Sequence, residues 1–233
     1  MNPRHPRYKW HRALDAVKRR RLSGEIDRLY NEITSSWDQK GFIERFRDQW
    51  DPFEDVKASK YLKLDWWLRD AIFRYLSIDI PRHSSPMQVL DIGMGTGYFL
   101  LVCRHMGHKV LGLDLPGEPL YNECHEFFGL QRITYRVEAM QPLPELPQPL
   151  DLATAFMTCF NQYEDKSPWE IEPWLFFLED LRGRMTDRGR VVVKFNLNPR
   201  SQQFYSSAVA KAISGCGFFD ARFYMDYMYL RVK

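Results

Sequence analysis

Cysteine is scarce in this 233-residue chain: Cys103, Cys124, Cys159 and Cys216 stand far apart and form no C-x-x-C pair. That excludes a disulfide scaffold and predicts reduced, mostly buried thiols. His105 and His108 make an H-x-x-H spacing and Cys124 precedes His125, but neither pair closes a donor set, so no metal is expected. No run of about 18 uncharged apolar residues occurs, which removes a membrane-spanning helix. The first seven residues also lack the apolar stretch of a secretory signal, so the expected compartment is the cytoplasm.

Net positive charge is missing from most of the chain. Residues 1–21 hold eight Lys or Arg against Asp15 alone, a net of +7, whereas the whole chain carries +3, which leaves −4 on the other 212 residues. Residues 1–24 are therefore read as a poorly ordered basic tail. The run Lys18-Arg19-Arg20-Arg21 suits contact with phosphates or an acidic surface, but the mildly acidic body argues against a large nucleic-acid footprint. What is plentiful is apolar surface. Hydrophobic residues make up 45% and aromatic ones 15%, ample for one substantial core.

Residues 25–84 read as a helical N-terminal cap. Ile26, Leu29, Tyr30, Ile33 and Trp37 recur at helical spacing, as do Phe42, Ile43, Phe46 and Trp50, and Pro52 breaks the pattern. A third helix is predicted over 59–78, with Tyr61, Leu64, Leu68, Ala71, Ile72 and Tyr75 on one face. From residue 85 strands and helices alternate. Strands are predicted at 88–92, 109–115, 132–137, 151–157 and 190–195, and helices at 97–106, 118–128, 169–185 and 201–214. Such alternation predicts a doubly wound, mostly parallel α/β sheet. Residues 218–224 and 227–232 then have only Met225-Asp226 between them, which permits antiparallel pairing alone.

The most informative stretch is Val89-Leu90-Asp91-Ile92-Gly93-Met94-Gly95-Thr96-Gly97-Tyr98, an apolar strand joined to a helix through three glycines spaced two apart. A dinucleotide fingerprint, G-x-G-x-x-G, needs a third glycine where Tyr98 stands, so the NAD reading loses ground. What remains is D-x-G-x-G-x-G. The second strand, Lys109-Val110-Leu111-Gly112-Leu113-Asp114, ends in an acid 21 residues after Gly93, close to the offset that delivers a carboxylate to a ribose diol.

Together these residues resemble the class I S-adenosylmethionine (SAM)-dependent methyltransferases over about residues 86–233. Asp91 to Gly97 match that family's first motif and Asp114 its ribose-binding acid. The resemblance implies a Rossmann-like seven-stranded sheet closed by a C-terminal antiparallel hairpin, with SAM as cofactor. It implies that Glu138 and Ala139 contact the adenine and that Leu115 lines it. The expected cofactor set is Asp91, Gly93, Met94, Gly95, Gly97, Asp114, Leu115, Glu138, Ala139, Phe156 and Met157. Lys57 and Lys60 are candidates for the cofactor's carboxylate.

Ligands of open α/β sheets bind beyond the carboxyl ends of the strands. Phe156 to Asn161 and Asn196 fall there. The six histidines do not, and they read as structural or solvated. Amine-directed nucleic-acid methyltransferases carry N-P-P-Y or D-P-P-Y after the fourth strand. This chain has Met157-Thr158-Cys159-Phe160-Asn161-Gln162-Tyr163, with no proline between Pro149 and Pro168. Asn161 and Tyr163 are candidates to orient a substrate hydroxyl, and Glu164 and Asp165 to take its proton. The expected reaction is methyl transfer to oxygen or nitrogen of a small metabolite or sugar-like acceptor, roofed by aromatic residues of the cap. Two rivals stay open: an RNA or protein methyltransferase guided by the basic tail, and a SAM-binding regulator without catalysis.

Overall fold

The computed structural model describes residues 6–47, 59–78, 85–116, 119–147, 149–158, 168–198 and 201–233. Four helices precede the sheet: α1 (Pro6–Arg21), α2 (Ser23–Ser35), α3 (Gln39–Phe46) and α4 (Leu64–Ser77), the last entered through a 3-10 turn at Ser59–Leu62. The segment expected as a poorly ordered tail is thus helical from Pro6. Asp38 starts α3 by accepting the Gly41 N–H at 2.9 Å.

The sheet then follows as β1 (Gln88–Ile92), α5 (Tyr98–His105), β2 (Lys109–Asp114), α6 (Pro119–Phe128), β3 (Arg132–Thr134), β4 (Leu150–Phe156), α7 (Ile171–Arg182), β5 (Met185–Lys194), α8 (Ser207–Gly215), β6 (Phe219–Tyr224) and β7 (Tyr227–Val232). Its seven strands are ordered β3-β2-β1-β4-β5-β7-β6. The first five pair in parallel, and β7 pairs antiparallel with both β5 and β6. This is the doubly wound sheet with a terminal hairpin that the alternation predicts.

Several boundaries differ from expectation. The third strand stops at Thr134, three residues short. Helix α7 ends at Arg182 rather than Met185, because Arg184 leaves the helix to bind the carbonyls of Leu143 and Pro144 and the Asp180 carboxylate. Met185 already pairs with Leu150 in β5, and the register then slips between Leu150 and Leu152. The last helix begins at Ser207, six residues late, where the Ser206 hydroxyl caps the Val209 N–H.

Two apolar layers flank the sheet. Helices α2 to α6 cover one face through Leu29, Ile33, Leu68, Ile72, Leu100 and Phe128, packed on Val89, Leu152 and Val192. Helices α7 and α8 cover the other through Leu178, Leu181 and Ile213, packed on Leu90, Ala153 and Val191. Cys103 and Cys124 are buried and free. The helical cap joins the first layer through an aromatic cluster. Phe42 packs against Trp37, Phe46, Phe127 and Phe128, at ring separations of 5.3, 4.7, 5.1 and 5.3 Å. His108 is a second tie. It accepts the Met87 N–H on Nδ1, which leaves Nε2 protonated to face the Tyr75 hydroxyl at 3.0 Å.

Truncating Phe42 to Ala should cost about 3–5 kcal/mol in denaturant unfolding, the range for a buried Phe whose neighbours cannot collapse inward. Ile43→Ala, one residue on at an exposed position, should stay within about 0.5 kcal/mol.

Candidate functional site

Strand alternation sends Val89 and Asp91 of β1 toward the α4 and α5 layer and Leu90 and Ile92 toward α7. Asp91 is 3% exposed. Thr154, its register partner on β4, donates its hydroxyl to Asp91 Oδ1 at 2.6 Å. Beyond β1 the chain turns through Gly93, Gly95 and Gly97, all at positive φ. The turn is fastened to β2. Gly93 N–H donates to Leu113 O at 2.6 Å, and Gly95 N–H to Asp114 Oδ2 at 2.8 Å. The other oxygen, Asp114 Oδ1, accepts the Leu115 N–H at 2.8 Å.

A cavity of roughly 570 Å³ opens over this turn, a volume usual for small-molecule sites. Asp91, Gly93, Met94, Gly95, Asp114 and Leu115 line it, joined from other strand ends by Glu138, Ala139, Phe156 and Met157. Gly97 does not reach the cavity. A Cβ there would meet Leu130 and Met94 behind the loop, and its φ of +82° caps α5, so glycine is required for packing and conformation. Gly95 differs: a Cβ on it would meet nothing within 4 Å, which leaves that peptide face bare. Asn161, Tyr163, Glu164 and Asp165 lie outside the described residues, as does Lys57.

The cap contributes one wall. Lys60, Tyr61 and Trp67 line the cavity with Tyr121 of α6. Tyr61 packs on Trp67 at 4.6 Å and on Tyr121 at 6.0 Å, while Tyr98 fixes the 3-10 turn by donating its hydroxyl to Tyr61 O at 2.9 Å. The other cap aromatics play other parts: Trp37 sits in the Phe42 cluster, Tyr75 meets His108, and Trp66 is exposed.

Two residues were not foreseen. Arg74 of α4 lines the cavity, pairs with Asp70 at 2.7 Å and lies over the Phe156 ring at 5.1 Å, yet its buried Nε has no partner among the described residues. In sequence it stands off the apolar stripe of α4 and looks like any surface arginine. His125 donates Nε2–H to Gly95 O at 2.5 Å from the last turn of α6, which makes it a structural brace of the loop. No group of three or more His, Cys, Asp or Glu among the described residues could hold a metal ion. No described helix is long and apolar enough to cross a membrane.

Burial pushes the Asp91 carboxyl up to about 7, against the Thr154 bond and the Arg74 charge that lower it. The native state therefore keeps a proton between about pH 4 and pH 7 that the unfolded chain releases, so stability falls as pH rises through that window. Asp91→Asn should match the parent protein near pH 4 and exceed it by about 1–4 kcal/mol at pH 8. Thermal or denaturant unfolding at the two pH values measures the difference; equal stability of the two proteins at pH 8 would refute it.

No protein-family model matches the sequence, and comparison with curated proteins finds no match. Comparison with solved structures does. A SAM-dependent methyltransferase from Aquifex aeolicus aligns over 82% of this chain and 98% of its own, with 16% identity and a TM-score of 0.52. The magnesium protoporphyrin IX methyltransferase of Synechocystis PCC 6803, crystallised with S-adenosylhomocysteine (SAH), aligns over 88% of this chain and 100% of its own, with 14% identity and a TM-score of 0.51. These likenesses show the fold: the chain has the Rossmann-like fold of the class I SAM-dependent methyltransferases.

Proposed function

We propose that the protein transfers the methyl group of SAM to an oxygen or nitrogen of a small acceptor. The observation that carries this reading is the pairing of the bare Gly95 face with Asp114. The acid is tied by one N–H on each oxygen, which leaves lone pairs on both, and it lines the same cavity. Those lone pairs suit the two hydroxyls of a ribose. Glu138 and Ala139 receive the adenine beyond it, Leu115 flanks it, and Asp91 faces the ammonium of the methionine end. Arg74 completes the fit. Its Nε, without a partner among the described residues, and the Lys60 ammonium supply the counter-charge for the methionine carboxylate, an assignment that adds Arg74 to the expected lysines.

Bound SAM supplies a methyl group already activated on a sulfonium. The chain then has to hold the nucleophile in line and keep water out, and such positioning contributes ~7–11 kcal/mol. Tyr61, Trp67 and Tyr121 form the apolar wall against which a flat or ring-shaped acceptor rests. Phe156 and Met157 border the transfer point, and Asn196 steadies that segment by donating Nδ2–H to Met157 O at 2.8 Å. The acceptor's proton is assigned to residues 161–165, with Asn161 and Tyr163 orienting and Glu164 or Asp165 accepting. Small acceptors are favoured over nucleic acid by the enclosing aromatic wall and by the missing proline pair after β4.

Calorimetry should show SAH binding at micromolar order and no binding of NAD; the reverse result would refute the assignment. Asp114→Ala should weaken SAH by ~1.5–3 kcal/mol, since it removes a charged acceptor and frees the Gly95 N–H. Tyr61→Ala should raise the acceptor's KM or lower kcat severalfold while the melting temperature stays nearly unchanged, whereas Trp37→Ala should chiefly lower the melting temperature.

A further inference from the structure

Helix α1 presents two unlike sides. Its inner side carries Arg12, Asp15 and Arg19, spaced by three and four residues. Arg19 pairs with Asp70 at 2.5 Å and lies over the Phe73 ring at 4.2 Å, and Lys18 beside it donates to Ser77 O at 3.3 Å. Asp15 comes within electrostatic reach of Tyr224, Tyr229 and Asp226, and Arg12 of Asp226 and Lys194. These contacts fix which way the helix faces. At 3.6 residues per turn, Trp10, Leu14 and Val17 fall on roughly the opposite side. They are 65%, 41% and 47% exposed.

Three large apolar side chains in one outward row are unexpected on a helix with seven Lys or Arg and a single acid between Pro6 and Arg21. Lys9 and Arg20 border the row and Arg21 closes its C-terminal end. We propose that α1 is an interfacial helix that seats the protein on an anionic lipid surface. The row enters the boundary between headgroups and acyl chains, where Trp10 has an apolar ring and a polar N–H to place, while the bordering cations meet lipid phosphates. Phosphate attraction alone would also suit RNA, but a nucleic-acid backbone gives Leu14 and Val17 nothing to bury against. Residues 22–233 carry −4, so the net positive charge is concentrated at this end of the chain and favours this helix as the side turned to a negative surface. This inference does not depend on the proposed methyl transfer.

The test is sedimentation of the full-length protein with vesicles of phosphatidylcholine alone and of phosphatidylcholine mixed with phosphatidylglycerol. Binding is expected to the mixed vesicles, at least about tenfold stronger than to the neutral ones. Replacing Trp10, Leu14 and Val17 together by Ser, and separately Lys9, Arg20 and Arg21 by Gln, should each weaken partitioning about tenfold or more. Both variants should leave the circular-dichroism melting temperature unchanged, because all six side chains are exposed. Failure of the parent protein to sediment with mixed vesicles would overturn the proposal without reference to any variant. So would a Ser variant that binds like the parent, or a short single-stranded RNA that binds more tightly than the vesicles and ignores the Ser substitutions.

Discussion

A single carboxylate holds the business end of this fold together. Asp114 ends β2, and each of its oxygens takes one backbone N–H, one from Leu115 just after the strand and one from Gly95 in the loop after β1. A turn with three residues at positive φ has few contacts of its own, and here its geometry is set by that bond, by Gly93 on Leu113 O and by His125 on Gly95 O. Burial raises the Asp114 pKa while the two N–H bonds act against it. The residue that fixes the loop's shape thus also supplies charge to the cavity, and the two tasks cannot be separated by substitution at that position alone.

The neighbouring acid has the opposite balance. Asp91 gains one hydroxyl bond from Thr154 but loses most of its water, and among the described residues no cation pairs with it directly. Uncompensated burial of this kind costs stability, and sites that bind ligands are where folds carry such costs. In the proposed function the ammonium of the cofactor offsets that cost, which would couple binding to folding through one side chain.

The sheet and its loop were legible because their signals are local: apolar runs of strand length, glycines two apart, and an acid at βαβ offset. The missed features depend on partners far away in sequence. Arg74 acquires meaning only from Phe156 and Asp91 across the layer, and His125 only from a loop thirty residues earlier. Gly97 was assigned to the ligand by spacing, and spacing did not show that a Cβ there would also meet Leu130 and Met94. Helix α7 was drawn too long because nothing near Arg184 announces that its guanidinium turns back to Leu143 and Pro144. Among the cap aromatics, sequence supplied one undifferentiated set, and packing sorted Tyr61 and Trp67 to the cavity and Trp37 to the core. The basic N-terminal segment read as a tail because its charge density masked the row of Trp10, Leu14 and Val17.

The two ends of the sheet are built to discourage further growth. At one end β3 has three residues, too few to template a partner strand. At the other, β6 points Asp220 and Arg222 outward, and Lys233 lies 3.7 Å from Asp220. Short edges and edge charges both penalise edge-to-edge strand addition. Crowded molecules of this protein would therefore meet through helical faces, and a chain with 45% hydrophobic residues keeps its strands out of intermolecular pairing.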